Sequence, residues 1–369
     1  MILFEFEVKK ILEEYGIPTE ASVTLSKEDL PRFKDAVARI PSPYVVKAQV
    51  RGWGRGRAGL VKFADTLEEA ERLVNEMMGI EYRGERVRYV LVSHKVKPLR
   101  EIYLAMMIDG SPNGVLLLAS RSGGVDVESK GVHDLLALRV DPQAGLRDYI
   151  VRRVSKHLVI DFNEASRILK GMYRAFWDYS LTLLELNPLV ETGEGFLAID
   201  RKAIADEDSG NPKLSDIVAR HESELTEIQR DAKRWGFSIV LLDGDLAVVG
   251  NGAGLTMATL DAVSDSGGRP GLFLDLGGGA TSERVRNALK LVFKQANVKA
   301  VLVNIVGGIT RCDEVAHGLV EALRESGRSD VKLVVRLSGF MEEEGMTVLS
   351  RAGIPAFARL EDAVNAVVN

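Results

Sequence analysis

The stretch FLDLGGGATSERVRNALKLV, Phe273 to Val292, decides how the chain is read. An apolar, strand-like segment runs into Gly277, Gly278 and Gly279. After Ala280, Thr281 and Ser282 open a helical repeat. A strand that turns through glycine into a helix presents bare backbone N–H groups and the positive end of the helix dipole. The turn is therefore a seat for an anion.

The same grammar recurs on both sides of this stretch. VGNGAGLTMATLDAV (Val249 to Val263), VNIVGGITRCDEVA (Val303 to Ala316) and VVRLSGFMEEEG (Val334 to Gly345) each read as strand, small or polar turn, then helix. The strands are continuously apolar, as expected of a parallel sheet covered on both faces. The expectation for this half is a doubly wound, flavodoxin-like domain whose ligands sit outside the carboxyl ends of its strands. Several glycine turns on one sheet edge favour a bound polyanion over a scaffold that merely tolerates glycine.

Upstream, the pattern is mixed. VKKILEEYGI is helical and stops at Gly16, and PYVVKAQV is a β-branched strand. TLEEAERLVNEMMG is an amphipathic helix capped by Thr66 with Glu69 three residues on. RVRYVLVSHKV, REIYLAMMID and GVLLLAS read as strands, and NEASRILKGMYRAFWDYSLTLLELNPLV as a long helix entering a buried strand. Arg201 to Gly236 is charged and has few large apolar residues. It reads as an exposed helix and connector, which places the domain boundary close to Trp235: residues 1–235, then 236–369.

Bulk properties narrow the function. A chain of 369 residues predicts two or three domains. Its net charge of −5 comes from interleaved acids and bases, which argues against nucleic acid as a partner. No apolar run is long enough for a membrane span. The N-terminus carries acids where a signal peptide would be basic and apolar, so a cytoplasmic protein is expected. The single cysteine, Cys312, excludes an intramolecular disulfide framework.

Three constellations carry chemistry. In VVKAQVRGWGRGRAGLVKF (Val45 to Phe63), Lys47 precedes a glycine and arginine loop. Flexible backbone plus cations suits a nucleotide triphosphate, although a solvated basic hairpin has the same composition. In LLELNPLVETGEGFLAIDRK (Leu183 to Lys202), Glu185, Asn187 and Asp200 end two apolar strands. Hard oxygens at neighbouring strand ends could hold Mg²⁺, and Glu185 shares a face with Asn187. The third constellation is the set of anion turns. By contrast, His94, His133, His157, His221 and His317 lack a believable acid partner, and no serine or cysteine nucleophile stands out. A triphosphate-like loop and a metal-like pair without a nucleophile make an incomplete enzyme.

These motifs resemble, in order and nearly end to end, the β subunits of the succinyl-CoA synthetase (succinate–CoA ligase) family. The resemblance rests on KAQVRGWGRGRAGLVK, LELNPLV, NGAGLTMATLDAV, FLDLGGGATSERV, VNIVGGITRCDEVA and VVRLSGF. It implies an ATP-grasp N-terminal domain, with a lid over roughly residues 20–95, and a flavodoxin-like C-terminal domain. It implies that Lys47, Gly54, Arg55, Gly56 and Glu101 hold the nucleotide, with Ser93 and Val96 at the base pocket. Asn187 and Asp200 would hold Mg²⁺, and Glu185 would orient a phosphorylated histidine. Asn251, Gly307, Gly308, Ile309 and Thr310 would line the organic-acid and phosphate region, and Gly277 to Thr281 would seat phosphate or phosphohistidine.

In that family the histidine belongs to a partner α subunit that also binds coenzyme A, so the resemblance implies that the missing nucleophile arrives in trans. The implied reaction converts ATP or GTP, a dicarboxylate and coenzyme A reversibly to nucleoside diphosphate, phosphate and acyl-CoA, in the tricarboxylic acid cycle. Three positions depart from the family pattern. Ser93 stands where a glutamate is usual, which bears on ATP against GTP, and Arg51 and Trp53 stand where smaller residues are usual. A malate– or citrate–CoA ligase β subunit would share every motif. A stand-alone ATP-grasp carboxylate ligase would leave the C-terminal domain unexplained, and a nucleotide-sensing regulatory subunit would not need to keep Lys47, Asn187 and Asp200.

Overall fold

The computed structural model describes residues 1–51, 58–82, 85–110, 114–124, 134–328 and 330–369. Gly54, Arg55 and Gly56 of the expected phosphate loop lie outside the described residues, as do Trp53 and His133. Two compact units divide the chain, Met1–Ala219 and Arg220–Asn369.

In the first unit, a six-stranded sheet is built around Leu181–Thr192. This strand pairs antiparallel with Arg100–Asp109, Gly195–Ala198 and Arg201–Ala205, and the sheet continues through Gly114–Ser120 to Leu135–Val140. The helices Glu5–Glu14, Asp148–Leu158 and Phe162–Asp178 pack on it through Ile11, Leu12, Val154, Ile168 and Met172. The second sheet of this unit has four antiparallel strands, Ser22–Leu25, Tyr89–His94, Tyr44–Gln49 and Val61–Ala64 in spatial order. Helix Leu67–Met77 packs on this sheet through Val74 and Met77, against Val46, Val90 and Val92. The Thr66 hydroxyl caps it, accepting from Glu69 N at 3.2 Å.

The second unit contains the parallel sheet. Its parallel strands lie in the order Pro270–Asp275, Leu246–Gly250, Ala300–Gly307, Lys332–Gly339 and Ala356–Phe357. In chain order that is 2-1-3-4-5, the flavodoxin-like arrangement. One strand departs from the expected pattern: Ser238–Leu241 pairs antiparallel with Pro270–Asp275 at the edge. Valines, leucines and isoleucines fill both faces, packed against Ser282–Phe293 and Cys312–Ser326 on one side and Leu360–Val368 on the other.

The charged stretch after Arg201 is not simply a connector. Arg201–Ala205 is a strand of the six-stranded sheet, and Arg201 is buried. The compact units part earlier than Trp235, inside helix Ser215–Ser223. Helix Glu227–Trp235 goes with the second unit because Ile228 and Ala232 pack into its core. Two apolar residues on one face anchor a helix whose remaining surface is charged.

Candidate functional site

In the first unit, Lys47 lies on Tyr44–Gln49, opposite Leu91 and Val61, and is 8% exposed. An ammonium group so buried needs partners. Its Nζ donates to Glu5 Oε1 at 2.7 Å and to the Ile199 carbonyl at 2.6 Å. Glu5 stands in the first turn of Glu5–Glu14 and is itself buried. Arg201 closes the cluster. It donates to both Glu20 oxygens at 2.6 and 2.8 Å, to the Glu5 carbonyl at 3.3 Å and to the Ala198 carbonyl at 2.5 Å. Burial works to lower the Arg201 pKa, but the Glu20 carboxylate, with Glu5 and Asp200, outweighs it and holds the guanidinium above its ordinary range.

Ile199 is followed directly by Asp200, so one carbonyl joins the Lys47 cation to the expected metal end. There, Asn187 N donates to the Asp200 carbonyl at 2.9 Å. The Asn187 side chain is oriented from both ends. Its Oδ1 accepts from Gly124 N at 2.7 Å, and its Nδ2 donates to Glu185 Oε1 at 3.2 Å. Glu185 stands directly opposite Lys202 and Ala105 in the sheet. The amide oxygen of Asn187 and the carboxylate of Asp200 are hard donors on adjoining backbone, a set that suits Mg²⁺. Among the described residues, no group of three or more His, Cys, Asp or Glu side chains forms a metal cluster.

Glu101, on Arg100–Asp109, accepts from Gly123 N through its carbonyl at 3.0 Å. The neighbouring Gly124 has φ +95°, and a Cβ there would lie 2.9 Å from Glu101 Oε2. This turn brings Glu101 and Asn187 to one place. Ser93 is buried mid-strand between Val45 and Ser22, and Val96 is half-buried in the connection leading to Arg100–Asp109.

In the second unit the expected anion residues meet at the strand-order switch, between the carboxyl ends of Leu246–Gly250 and Ala300–Gly307. The Asn251 amide clamps the next strand, donating to the Val306 carbonyl and accepting from Val306 N, both at 3.0 Å. It also donates to Thr310 Oγ1 at 3.4 Å, and the same hydroxyl accepts from Gly279 N at 3.0 Å. One buried threonine thus ties the Gly277–Gly279 turn to the Gly307–Gly308 turn. Thr281 caps helix Ser282–Phe293, accepting from Arg284 N at 3.3 Å. Ile309 is 90% exposed, while Ala280 and Thr310 are buried. Gly307 is required by close approach: a Cβ would lie 2.8 Å from Cys312 Sγ and 2.9 Å from Phe340 N. Burial pushes the Cys312 thiol pKa up, with Glu342 and Asp313 adding to it, so this helix-start cysteine is a packing residue and not a nucleophile.

Sequence reasoning missed Glu5, Glu20, Arg201 and Gly124. Two acids inside the apolar run FEFEVKKIL were a signal, because they occupy helix positions that must be buried. Arg201 gave none, being hidden in a charged segment.

Comparison with known proteins places the two halves. The ATP-grasp domain model matches residues 2–191 and the CoA-ligase model residues 249–368. The succinate–CoA ligase [ADP-forming] subunit beta of Ignicoccus hospitalis is 41% identical, the alignment covering 100% of this chain and 98% of that one. The protein of the same name from Methanocaldococcus jannaschii is 38% identical over 98% of each chain. Among solved structures, the ATP citrate lyase of Methanothrix soehngenii, in complex with citrate and coenzyme A, aligns with a TM-score of 0.72. Its 20% identity, over 99% of this chain and 98% of that one, is a likeness of fold. The chain belongs to the family of succinate–CoA ligase β subunits, ligases that join an ATP-grasp domain to a CoA-ligase domain.

Proposed function

We propose that this chain is the nucleotide-binding half of a two-subunit ligase that couples a nucleoside triphosphate, Mg²⁺ and coenzyme A to succinyl-CoA formation. A partner α subunit supplies the histidine that carries the phosphoryl group and binds coenzyme A. The observation that carries this reading is the junction at Ile199 and Asp200. There a phosphate-type cation, Lys47, reaches the Ile199 carbonyl, and Asn187 N reaches the carbonyl of the next residue, Asp200, so the cation and two residues with hard oxygens converge on one stretch of backbone. The relatives' designation as ADP-forming favours ATP over GTP.

Lys47 holds nucleotide phosphates together with the Gly54, Arg55 and Gly56 loop, and Glu101 adds a nucleotide contact. Ser93 and Val96 flank the base. Asn187 and Asp200 hold Mg²⁺, which when bound offsets charge on the transferring group. Glu185, steadied by Asn187, orients the partner histidine. Asn251, Gly277 to Thr281 and Gly307 to Thr310 receive phosphate and the dicarboxylate, using backbone N–H groups where charge must be met without a flexible side chain. The reaction belongs to the cytoplasm and the tricarboxylic acid cycle. Among the described residues, no helix is long and apolar enough to cross a membrane.

The test is a mixing experiment with γ-phosphate-labelled ATP and Mg²⁺. Acid-labile label on the partner subunit, only when both chains are present, is the expected result. Acyl-CoA formation by this chain alone would replace the reading with a stand-alone ligase.

A further inference from the structure

Of the buried charge cluster around Arg201, only Lys47 has a part in the reading above. Lys47, Glu5, Arg201 and Glu20 come from four separate elements: the strand Tyr44–Gln49, the helix Glu5–Glu14, the strand Arg201–Ala205 and the segment before Ser22–Leu25. All four are 8% exposed or less. With every group ionised, two positive charges face two negative ones, so the cluster is balanced. It joins the four-stranded sheet to the six-stranded sheet within the first unit.

We propose that Glu5 is a positioning residue for phosphoryl transfer, aiming the Lys47 ammonium at the nucleotide and fixing its place relative to Asp200. This rests on the reading of Lys47 as a nucleotide-phosphate ligand. A lysine ammonium has three N–H donors. Glu5 Oε1 and the Ile199 carbonyl take two of them, at 2.7 and 2.6 Å, which sets the direction of the third. Glu5 is fixed in turn. Its Oε1 lies 3.6 Å from an Arg201 terminal nitrogen, and its carbonyl accepts from Arg201 Nε. Glu20 holds the other side of the guanidinium through both oxygens, at 2.6 and 2.8 Å, a paired geometry that resists rotation. Arg201 also follows Asp200 directly, so the anchor of Glu5 is the anchor of the metal-end backbone.

The proposal separates position from charge. Removing the Glu5 carboxylate leaves more positive charge facing the phosphates, so nucleotide binding does not weaken. The ammonium loses its aim, so transfer slows. The experiment uses the full chain together with its partner subunit and MgATP. ATP affinity is measured by equilibrium titration, and labelling of the partner by single-turnover kinetics. For Glu5→Gln we expect transfer to slow by roughly 10- to 100-fold, as for a misplacement of about 1 Å, with the ATP dissociation constant unchanged or lower. Should Glu5→Gln fail to fold, Glu5→Asp keeps the buried charge while withdrawing the oxygen, and the same split is expected. Wild-type transfer rates in both variants overturn the proposal. So does a loss of rate and affinity in step with melting temperature, which is what a merely structural role predicts. Lys47→Ala is the control for the underlying reading and should weaken ATP binding. If it does not, that reading falls and the proposal with it. If it does while both Glu5 variants behave as wild type, the proposal alone falls.

Discussion

Lys47, Asn187 and Asp200 in the first unit, and Gly277 to Thr281 and Gly307 to Thr310 in the second, are both candidate phosphate-handling sites, but they are built from different material. The first is an arrangement of side chains, held by other side chains and by single backbone groups: Lys47 by Glu5 and the Ile199 carbonyl, Asn187 by Glu185 and the Gly124 N–H, Arg201 by Glu20. The second is an arrangement of backbone, clamped by one amide and one hydroxyl, Asn251 and Thr310. A side-chain site depends on charge balance in a buried place, so removing one member exposes the rest to a desolvation penalty. A backbone site depends on close approach and dihedral angle, so the damaging change there is an added atom.

This difference can be broken or sharpened by substitution. The largest effect is expected in the side-chain site. Asp200→Asn should lower transfer at limiting Mg²⁺ by about 100-fold, the upper range for loss of a metal-site group, with recovery as Mg²⁺ is raised; activity independent of Mg²⁺ would break the metal assignment. Glu185→Gln should slow labelling of the partner on the order of tenfold while leaving ATP affinity in place; an effect on ATP affinity alone would remove its proposed role.

In the backbone site, Gly307→Ala should act through the fold, costing ~1–3 kcal/mol in denaturant unfolding because its Cβ meets Cys312 Sγ at 2.8 Å and Phe340 N at 2.9 Å. Gly278 sharpens the contrast. A Cβ there meets nothing within 4 Å and its φ is not left-handed, so Gly278→Ala should leave stability unchanged and weaken only phosphate binding and turnover. If both stability and activity stay at wild-type levels, the anion does not sit on that turn. The smallest effect is at Cys312. Its raised thiol pKa and burial predict that iodoacetamide leaves it unmodified in the folded protein at neutral pH and labels it once urea unfolds the chain; labelling of the native chain would show that the Gly307 turn opens.

The two sites also differ in how much of them could be read in advance. The C-terminal half was legible because its signals are local. Strand, glycine turn and capped helix follow one another within about a dozen residues, and a parallel sheet buried on both faces writes itself as unbroken apolar runs. The antiparallel edge strand Ser238–Leu241 was not distinguished, since a short apolar run carries no mark of its direction. In the N-terminal half, Lys47, Glu185, Asn187 and Asp200 stood out as residue types, and Glu185 with Asn187 by their spacing along one strand. Their partners did not, because Glu5, Glu20 and Gly124 are remote from them in sequence.

The amino-acid sequence by itself determined most of the elements, the alternation that makes the second unit doubly wound, the glycine turns at its strand ends, and the lack of an evident serine or cysteine nucleophile. These follow from periodicity, backbone freedom and side-chain chemistry, all of which act over a few residues. Only the tertiary structure decided where Arg201 lies, which carboxylates balance it, and that the Lys47 ammonium meets the Ile199–Asp200 backbone, which Asn187 N also reaches. A charged residue reads as solvent-facing until the chain folds and supplies its counter-charges, and those come from strands and helices that sequence spacing does not connect.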